Sequence, residues 1–273
     1  LGVRKLRLTG GEPLLRAGLE ELVGDLAALP DVEDVALTTN GMLLARHAAE
    51  LRAQGLRRIT VSLDSLDDVV FRRMSGGYGT PDEVLVGIEA ALAAGLAPVK
   101  VNCVVQRGLN DHTVEDLLDH FRGTPVIVRL IEYMDVGTRN GWDPARVVPS
   151  RELRDRIAAR WPLVAAERNY RGEVAERYVY ADGAGEIGFI SSVSQPFCGA
   201  CSRARLSSEG VLYTCLFATR GLDLRAPLRA GADDATLLAL VRDAWLGRAD
   251  RYSELRTLTA DAEPRIEMYY IGG

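Results

Sequence analysis

The sequence has few of the features that mark secreted, membrane-spanning or nucleic-acid-binding proteins. It contains only four cysteines and three histidines in 273 residues, and aromatic residues make up 6%. No apolar run approaches the ~20 residues that cross a bilayer, and no secretory signal is visible, so we expect no membrane partner. A net charge of −5 disfavours general binding to nucleic acid, so any phosphate site must be a local basic pocket.

Three of the four cysteines are clustered, which favours metal binding in a reducing cytoplasm over disulfides. Cys198 and Cys201 form a CxxC pair, and Cys215 follows with Arg203 and Arg205 in between. Thiolates at this spacing can hold an iron–sulfur cluster or zinc. A strand that returns through residues 207–210 would bring the third cysteine back beside the pair, and the two arginines would share one face of it.

The number of local thiolates separates these two kinds of site. Three thiolates on a cubane cluster leave one iron open, and an open iron beside two arginines can receive an anionic substrate. Structural zinc normally has four protein ligands, so this alternative needs a fourth ligand from Cys103 or a histidine. We predict, however, that Cys103 is a buried thiol on the aliphatic face of its strand, and that His47, His112 and His120 lie at surface or helix-capping positions.

Strand and helix patterns alternate through the first half of the chain. The predicted strands cover residues 5–9, 35–39, 58–64, 98–105 and 126–131, and helical spacing of leucines predicts a helix from Pro13 to Leu29. Strands separated by helices predict an α/β fold with a parallel sheet. After Gly141 a linker, a polar helix, a hairpin over residues 178–190 and helices near 222–228 and 234–246 indicate a second unit. We therefore divide the chain into domains 1–145 and 146–273.

One face of the predicted strands is aliphatic and the other is small or polar. Parallel strands buried on both faces are apolar throughout, so the polar face predicts a barrel lumen that holds a polar ligand. The side chains expected to point into it are Arg7, Thr38, Ser62 and Lys100. A buried ammonium needs an anion to face. For Lys100 the alternative to a ligand is a protein carboxylate, such as Asp64 or Glu132.

Taken together, these segments resemble the radical S-adenosylmethionine (SAM) GTP 3',8-cyclases of molybdenum-cofactor biosynthesis, the MoaA family. The resemblance covers the whole chain, from LRLTGGEPLLR through LTTNG, VSLDSLD, VKVNCVVQRGLND, IEYMDVG and NGWD to FCGACSRARLSSEG, CLFATRG and YYIGG. It implies a partial (β/α)6 TIM-like radical SAM barrel with a C-terminal α+β extension that carries a second iron–sulfur cluster.

The resemblance also implies a role for individual residues. Cys198, Cys201 and Cys215 would hold an auxiliary [4Fe–4S] cluster whose open iron takes the guanine of GTP. The positions that match GTP contacts are Arg7, Thr38, Lys100, Arg203 and Arg205, and those that match SAM contacts are Gly11, Ser62 and Met134. The final Gly272-Gly273 matches a tail that reaches into the active site.

The reaction implied starts with reductive cleavage of SAM to a 5'-deoxyadenosyl radical. This radical abstracts hydrogen from the 3' carbon of the ribose, and the ribosyl radical attacks C8 of guanine to give 3',8-cyclo-7,8-dihydroguanosine 5'-triphosphate. The implied partners are GTP, SAM, an electron donor and the cyclic pyranopterin monophosphate synthase that receives the product. The chain could also form a homodimer. Two alternative functions are another radical SAM enzyme with an auxiliary cluster, and a non-catalytic nucleotide-binding protein with structural zinc.

The sequence lacks one defining motif of this family, the CxxxCxxC that holds the SAM-cleaving [4Fe–4S] cluster. In the family this motif precedes the segment that matches the first residues here, and the chain begins at Leu1 without an initiator methionine. We therefore expect an N-terminally truncated chain that cannot cleave SAM by itself.

Overall fold

The strands of the computed structural model alternate with helices as the hydrophobic patterns predict. It describes residues 1–170, 172–256 and 265–271. The strands are β1 (Lys5–Leu8), β2 (Asp34–Thr39), β3 (Arg58–Ser62), β4 (Val99–Val105), β5 (Ile127–Glu132), β6 (Leu163–Ala166), β7 (Glu176–Tyr180), β8 (Glu186–Ile190), β9 (Arg205–Leu206), β10 (Val211–Tyr213) and β11 (Leu222–Asp223). The α-helices are α1 (Leu19–Ala27), α2 (Leu44–Ala53), α3 (Asp68–Met74), α4 (Pro81–Ala93), α5 (Val114–Phe121), α6 (Ser150–Arg160), α7 (Arg225–Arg229), α8 (Asp234–Leu246), α9 (Tyr252–Leu255) and α10 (Met268–Ile271).

One large sheet with the order β1-β2-β3-β4-β5-β8-β7-β6 forms the wall of the partial barrel. Neighbouring strands from β1 to β5, and the pair β5 and β8, run parallel. The aliphatic face of β3 and β4 packs under the helices, and its residues are at most 1% exposed: Ile59, Val61, Leu63, Val99, Val101, Cys103 and Val105. The predicted α/β class and the predicted buried face are confirmed.

The second half of the chain extends this sheet and adds a smaller one. The predicted hairpin is confirmed as β7 and β8, and β8 pairs in parallel with β5. The large sheet thus continues past residue 145, and the division into two domains stays a prediction. A second sheet has the order β11-β10-β9. Within the part of the chain that the structure describes, no helix is both long enough and apolar enough to span a membrane.

The first predicted helix begins later than its leucine pattern indicates. Pro13–Leu15 forms a short 3-10 turn, and α1 starts only at Leu19. Gly18 has a φ of 65°, a left-handed conformation that interrupts the helix and that glycine adopts readily. Leu15 is consequently 74% exposed. The predicted helix near residues 222–228 is likewise shorter, because β11 occupies its start.

Candidate active site

The polar face of the sheet carries a cluster of hydroxyls and cations. Arg7 Nη1 donates hydrogen bonds to Thr38 Oγ1 at 2.9 Å and to Thr60 Oγ1 at 3.1 Å. Thr60 is the register partner of Thr38 on β2 and of Lys100 on β4. Because paired residues of a parallel sheet point to the same side, Arg7, Thr38 and Lys100 share the face that the sequence predicts for them.

A further cation in this cluster, Arg129 on β5, was missed by sequence reasoning. Its Nε donates to Asn102 Oδ1 at 2.9 Å, and its Nη2 donates to Thr60 Oγ1 at 3.3 Å. The hydroxyl of Thr60 thus lies between two guanidiniums. The available signal was a single charged residue inside the aliphatic strand VIVRLIE, which is the same signal that identified Lys100.

Electrostatics in the lumen favour an anionic ligand. Loss of hydration lowers the pKa of Lys100 to about 8, and repulsion from Arg129 and Arg58 adds to this shift. Burial also lowers the pKa of Arg129 to about 10, with Arg7 as the next cause. Lys100 forms no hydrogen bond or ion pair with any residue that the structure describes, although Glu173 and Glu186 act on it from a distance.

Asp64 and Glu132, the two carboxylates named as possible partners of Lys100, are engaged elsewhere, so these two pairings are wrong; the carboxylates that act on Lys100 are Glu173 and Glu186. Asp64 accepts a hydrogen bond from the backbone N–H of Val104 at 2.7 Å, and burial raises its pKa to about 6. Glu132 is fully buried and accepts from the backbone N–H of Ser150 and Val193. The positive charge of Lys100 therefore stays available to a ligand.

The predicted SAM contacts lie at the carboxyl ends of parallel strands, where enzymes of barrel type place their active sites. Ser62 is the last residue of β3 and is exposed, whereas Gly11 and Met134 follow β1 and β5. A Cβ atom added at Gly11 would meet nothing within 4 Å, so the backbone there faces open space. The carboxylate of Glu12 holds the turn in place by accepting a hydrogen bond from Thr39 Oγ1 at 2.7 Å. Contact of these residues with SAM stays a prediction.

The three clustered cysteines lie on two turns that the β9–β10 hairpin brings together. Cys198 starts a 3-10 turn, Cys201 follows it, and Cys215 comes after β10. Burial is the main cause of the raised pKa of Cys215, and the nearby charge of Cys198 adds a smaller contribution. The predicted return of the chain is thus confirmed. Arg205 lies in β9 but Arg203 precedes it, so the prediction that both arginines lie on one strand is wrong.

The arginines act directly on the thiols. Arg203 Nε and Nη2 both lie 3.3 Å from Cys201 Sγ. Burial favours a higher pKa for Cys201, but Arg203 and Arg248 outweigh it and lower the pKa. Burial lowers the pKa of Arg205 to about 10, and Arg203 adds to the shift, while Cys201 and Cys215 counteract it. Arg203 and Arg248 therefore stabilise the thiolate of Cys201, whereas burial disfavours that of Cys215.

Within the described residues, no group of three or more Cys, His, Asp or Glu side chains is placed to hold a metal ion. Metal binding by Cys198, Cys201 and Cys215, as a cluster or as zinc, therefore stays a prediction. Cys103 Sγ is fully buried against the carbonyl oxygen of Asp64 at 3.4 Å, and burial raises its pKa far above the usual range. His47 pairs with Glu20 at 2.6 Å. Neither side chain is placed as a fourth ligand.

The C-terminal end of the chain approaches the cysteine side of the molecule. The hydroxyl of Tyr270 donates a hydrogen bond to Glu209, in the turn between β9 and β10, and Ile271 is only 3% exposed. The predicted tail, Gly272-Gly273, lies outside the described residues.

Comparison with known proteins connects this arrangement to characterised families. Residues 1–121 match the Radical SAM superfamily, and residues 126–254 match the family Molybdenum Cofactor Synthesis C. The GTP 3',8-cyclase of Xanthomonas campestris pv. campestris (strain 8004) is 57% identical over 273 residues, which are 100% of this chain and 80% of that protein. The GTP 3',8-cyclase of Acidothermus cellulolyticus is 50% identical over 100% of this chain and 82% of that protein, and the one of Staphylococcus aureus (strain Mu3) is 44% identical over 100% and 81%. Among solved structures, coproporphyrinogen III oxidase from Escherichia coli aligns with 57% of this chain and 40% of its own at 14% identity, with a TM-score of 0.40.

Proposed function

This chain belongs to the GTP 3',8-cyclase family of the radical SAM superfamily, and we propose that its polar lumen binds the triphosphate of GTP while its cysteine segment receives the guanine. The reaction that it serves is the conversion of GTP to 3',8-cyclo-7,8-dihydroguanosine 5'-triphosphate in molybdenum-cofactor biosynthesis. The observation that carries the proposal is the meeting of Arg7, Lys100 and Arg129 on one face of the sheet, with no carboxylate paired to Lys100 among the described residues.

The lumen residues suit a triphosphate for a physical reason. Guanidiniums and an ammonium form charge-assisted hydrogen bonds to phosphate oxygens, and these are about twice as strong as neutral ones. Thr38 and Thr60 accept hydrogen bonds from Arg7, and Thr60 accepts one from Arg129 as well. The hydroxyls therefore hold both guanidiniums in place before the substrate arrives, which lowers the entropy lost on binding.

The cysteine segment forms the other end of the proposed site. Cys198, Cys201 and Cys215 would hold an auxiliary [4Fe–4S] cluster, and Arg203 and Arg205 would contact GTP beside it. When bound, this cluster would supply an iron site open to the purine. Arg203 favours the thiolate form of Cys201, which is the form that binds iron.

Gly11, Ser62 and Met134 are the proposed SAM contacts. Ring closure forms a carbon–carbon bond without hydrolysis, so we assign the reaction to the lyases. An electron donor and a synthase that receives the product are the proposed partners. The sequence shown contains one further cysteine, Cys103, so we propose that its cysteines bind a single cluster.

Binding of GTP to an Arg129→Ala variant tests the proposal. We expect the dissociation constant, measured by isothermal titration calorimetry with the anaerobically reconstituted protein, to rise by about tenfold or more because a buried charge-assisted contact is lost. Arg46→Ala is the matched control, since Arg46 is an exposed arginine on α2. Equal affinities of the two variants would remove Arg129 from the site, and failure of the unaltered chain to bind GTP would overturn the proposed function.

A further inference from the structure

Asp135 follows Met134 in the loop after β5 and is buried, with only 6% of its surface exposed. Three side chains from the C-terminal part of the chain converge on its carboxylate. Arg256 Nε donates to Oδ1 at 2.8 Å, Arg265 Nη1 donates to Oδ2 at 3.0 Å, and the hydroxyl of Tyr252 also donates to Oδ2. The loop that carries Met134 is therefore fastened to a segment that is more than a hundred residues away in sequence.

The short helix α9, which contains Tyr252, contacts both turns that carry the clustered cysteines. The ring of Tyr252 stacks on Phe217 with centroids 4.6 Å apart, and the backbone N–H of Phe217 points to Cys215 Sγ at 3.4 Å. On the other side of α9, Glu254 Oε1 accepts a hydrogen bond at 3.2 Å from the backbone N–H of Gly199, which lies between the two cysteines of the CxxC pair. The helix thus contacts Asp135 and both turns.

We infer that Asp135 is a positioning residue: through α9 it fixes the cysteine-bearing turns relative to the loop that carries Met134. The inference rests on the proposed function, because it assigns GTP to the space that these turns border. A reaction that joins two parts of one substrate needs both parts held in a fixed relative position. Here one buried carboxylate holds the cysteine-bearing turns in a fixed position relative to the loop that carries Met134.

The physical reason for this role is the cost of moving any partner of Asp135. Arg256 and Arg265 are about as buried as the carboxylate, with side-chain exposures of 10% and 14%. If the segment shifted, charged groups would lose their hydrogen bonds in a place that water reaches poorly. The ring of Phe217 also lies 5.6 Å from the guanidinium of Arg256, which adds a cation–π contact to the same link.

Glu267 provides a matched control because it joins the loop after β5 to the C-terminal part of the chain, and among the described residues its carboxylate accepts hydrogen bonds from Thr138 and Arg139 rather than from α9. It accepts hydrogen bonds from Thr138 N and Oγ1 at 2.9 Å and from Arg139 N at 3.2 Å. These contacts lie at a solvent-accessible position, where losing one charge costs little. Asp135→Asn and Glu267→Gln therefore remove the same charge from two links that differ in burial and in contact with the helix.

Amide hydrogen exchange of the full chain, with its auxiliary cluster reconstituted anaerobically, tests the inference. In Asp135→Asn we expect exchange in residues 198–217 and 252–256 to rise by about tenfold, while residues 99–105 of the barrel wall stay unchanged. We also expect the dissociation constant of GTP to rise by about tenfold while the iron content per chain is retained. Glu267→Gln should change these quantities by less than about twofold.

Two results would overturn the role of Asp135: unchanged exchange in residues 198–217, or an equal rise in residues 99–105, which would mean general destabilisation. If Asp135→Asn does not fold, Tyr252→Phe decides, since it removes one hydroxyl and keeps the ring on Phe217. A local rise in residues 198–217 of that variant supports the inference, and its absence overturns it. If the unaltered chain does not bind GTP, the proposed function fails, whereas the exchange results still decide whether Asp135 fixes the turns.

Discussion

Among the lumen residues, Lys100 is the one whose ionisation responds to a bound anion near neutral pH. Loss of hydration lowers its pKa to about 8, so the ammonium is mostly charged at pH 7 and mostly neutral at pH 9. A triphosphate beside it favours the charged form and raises the pKa again. Binding of GTP should therefore take up protons at about pH 8, and affinity should fall as the pH rises through this value.

We expect the affinity of the unaltered chain for GTP to fall several-fold between about pH 7 and pH 9. A Lys100→Arg variant stays charged over this range, so its affinity should change much less. Isothermal titration in two buffers with different ionisation enthalpies measures the proton uptake directly. The same pH profile in both proteins, or no proton uptake by the unaltered chain, would speak against a role for Lys100 in binding.

Sequence reasoning identified some lumen residues and missed others for a physical reason. Lys100 was found because a cation in an aliphatic strand needs a partner. Arg129 satisfies the same rule, but its partners Asn102 and Thr60 lie on two other strands. Such contacts depend on strand order and register, which local periodicity does not contain. The partner of a buried carboxylate is equally hard to predict from sequence. Glu132 was proposed as a partner of Lys100, but it accepts hydrogen bonds from backbone N–H groups instead.

At the scale of the elements, Glu132 connects three segments that are distant in sequence. It ends β5, and its carboxylate accepts hydrogen bonds from the backbone N–H of Ser150 at 2.7 Å, of Val193 at 2.8 Å and of Ser194 at 2.7 Å. Ser150 begins α6, and the other two lie just after β8. One fully buried carboxylate therefore holds α6 and the end of β8 against the central strand of the barrel wall.

Replacing Glu132 by alanine should leave three backbone N–H groups without a partner. We expect the free energy of unfolding, measured by urea denaturation, to fall by about 3 kcal/mol. Glu132→Gln keeps one acceptor oxygen and should lose about half as much. Glu152→Ala serves as control, because the pair of Glu152 with Arg107 is exposed and should contribute less than about 1 kcal/mol. A loss in Glu132→Ala no larger than that of the control would contradict the role described.

Elements were predicted well where the signal is local and poorly where it is not. The hairpin β7–β8 was found from its turn, Asp182-Gly183-Ala184-Gly185. The parallel pairing of β8 with β5 was not predicted, because no local pattern indicates which distant strand β8 will pair with. The start of α1 was misplaced because the leucine spacing continues through Gly18, whereas the backbone turns left-handed there.

For the molecule as a whole, the number and positions of the cysteines in the sequence shown lead to a prediction about cluster content. Three of the cysteines lie on the turns next to β9 and β10, and the fourth, Cys103, is fully buried in β4 beneath the carbonyl of Asp64. A cubane cluster takes a thiolate on each of several irons, and our proposal assigns Cys198, Cys201 and Cys215 to one such cluster. The SAM-cleaving cluster of the superfamily needs three more thiolates, which this sequence does not contain.

Anaerobic reconstitution of this chain should therefore yield about four irons and four sulfides per molecule. Cys215→Ala should lose this iron, whereas Cys103→Ala should keep it, because Cys103 is fully buried within β4. With SAM and a strong reductant the chain should form no 5'-deoxyadenosine above the level of a protein-free control. Iron analysis and chromatography of the reaction mixture check both points. Zinc in place of iron would refute the cluster assignment, while formation of 5'-deoxyadenosine would show that the chain holds a second cluster with ligands other than cysteine.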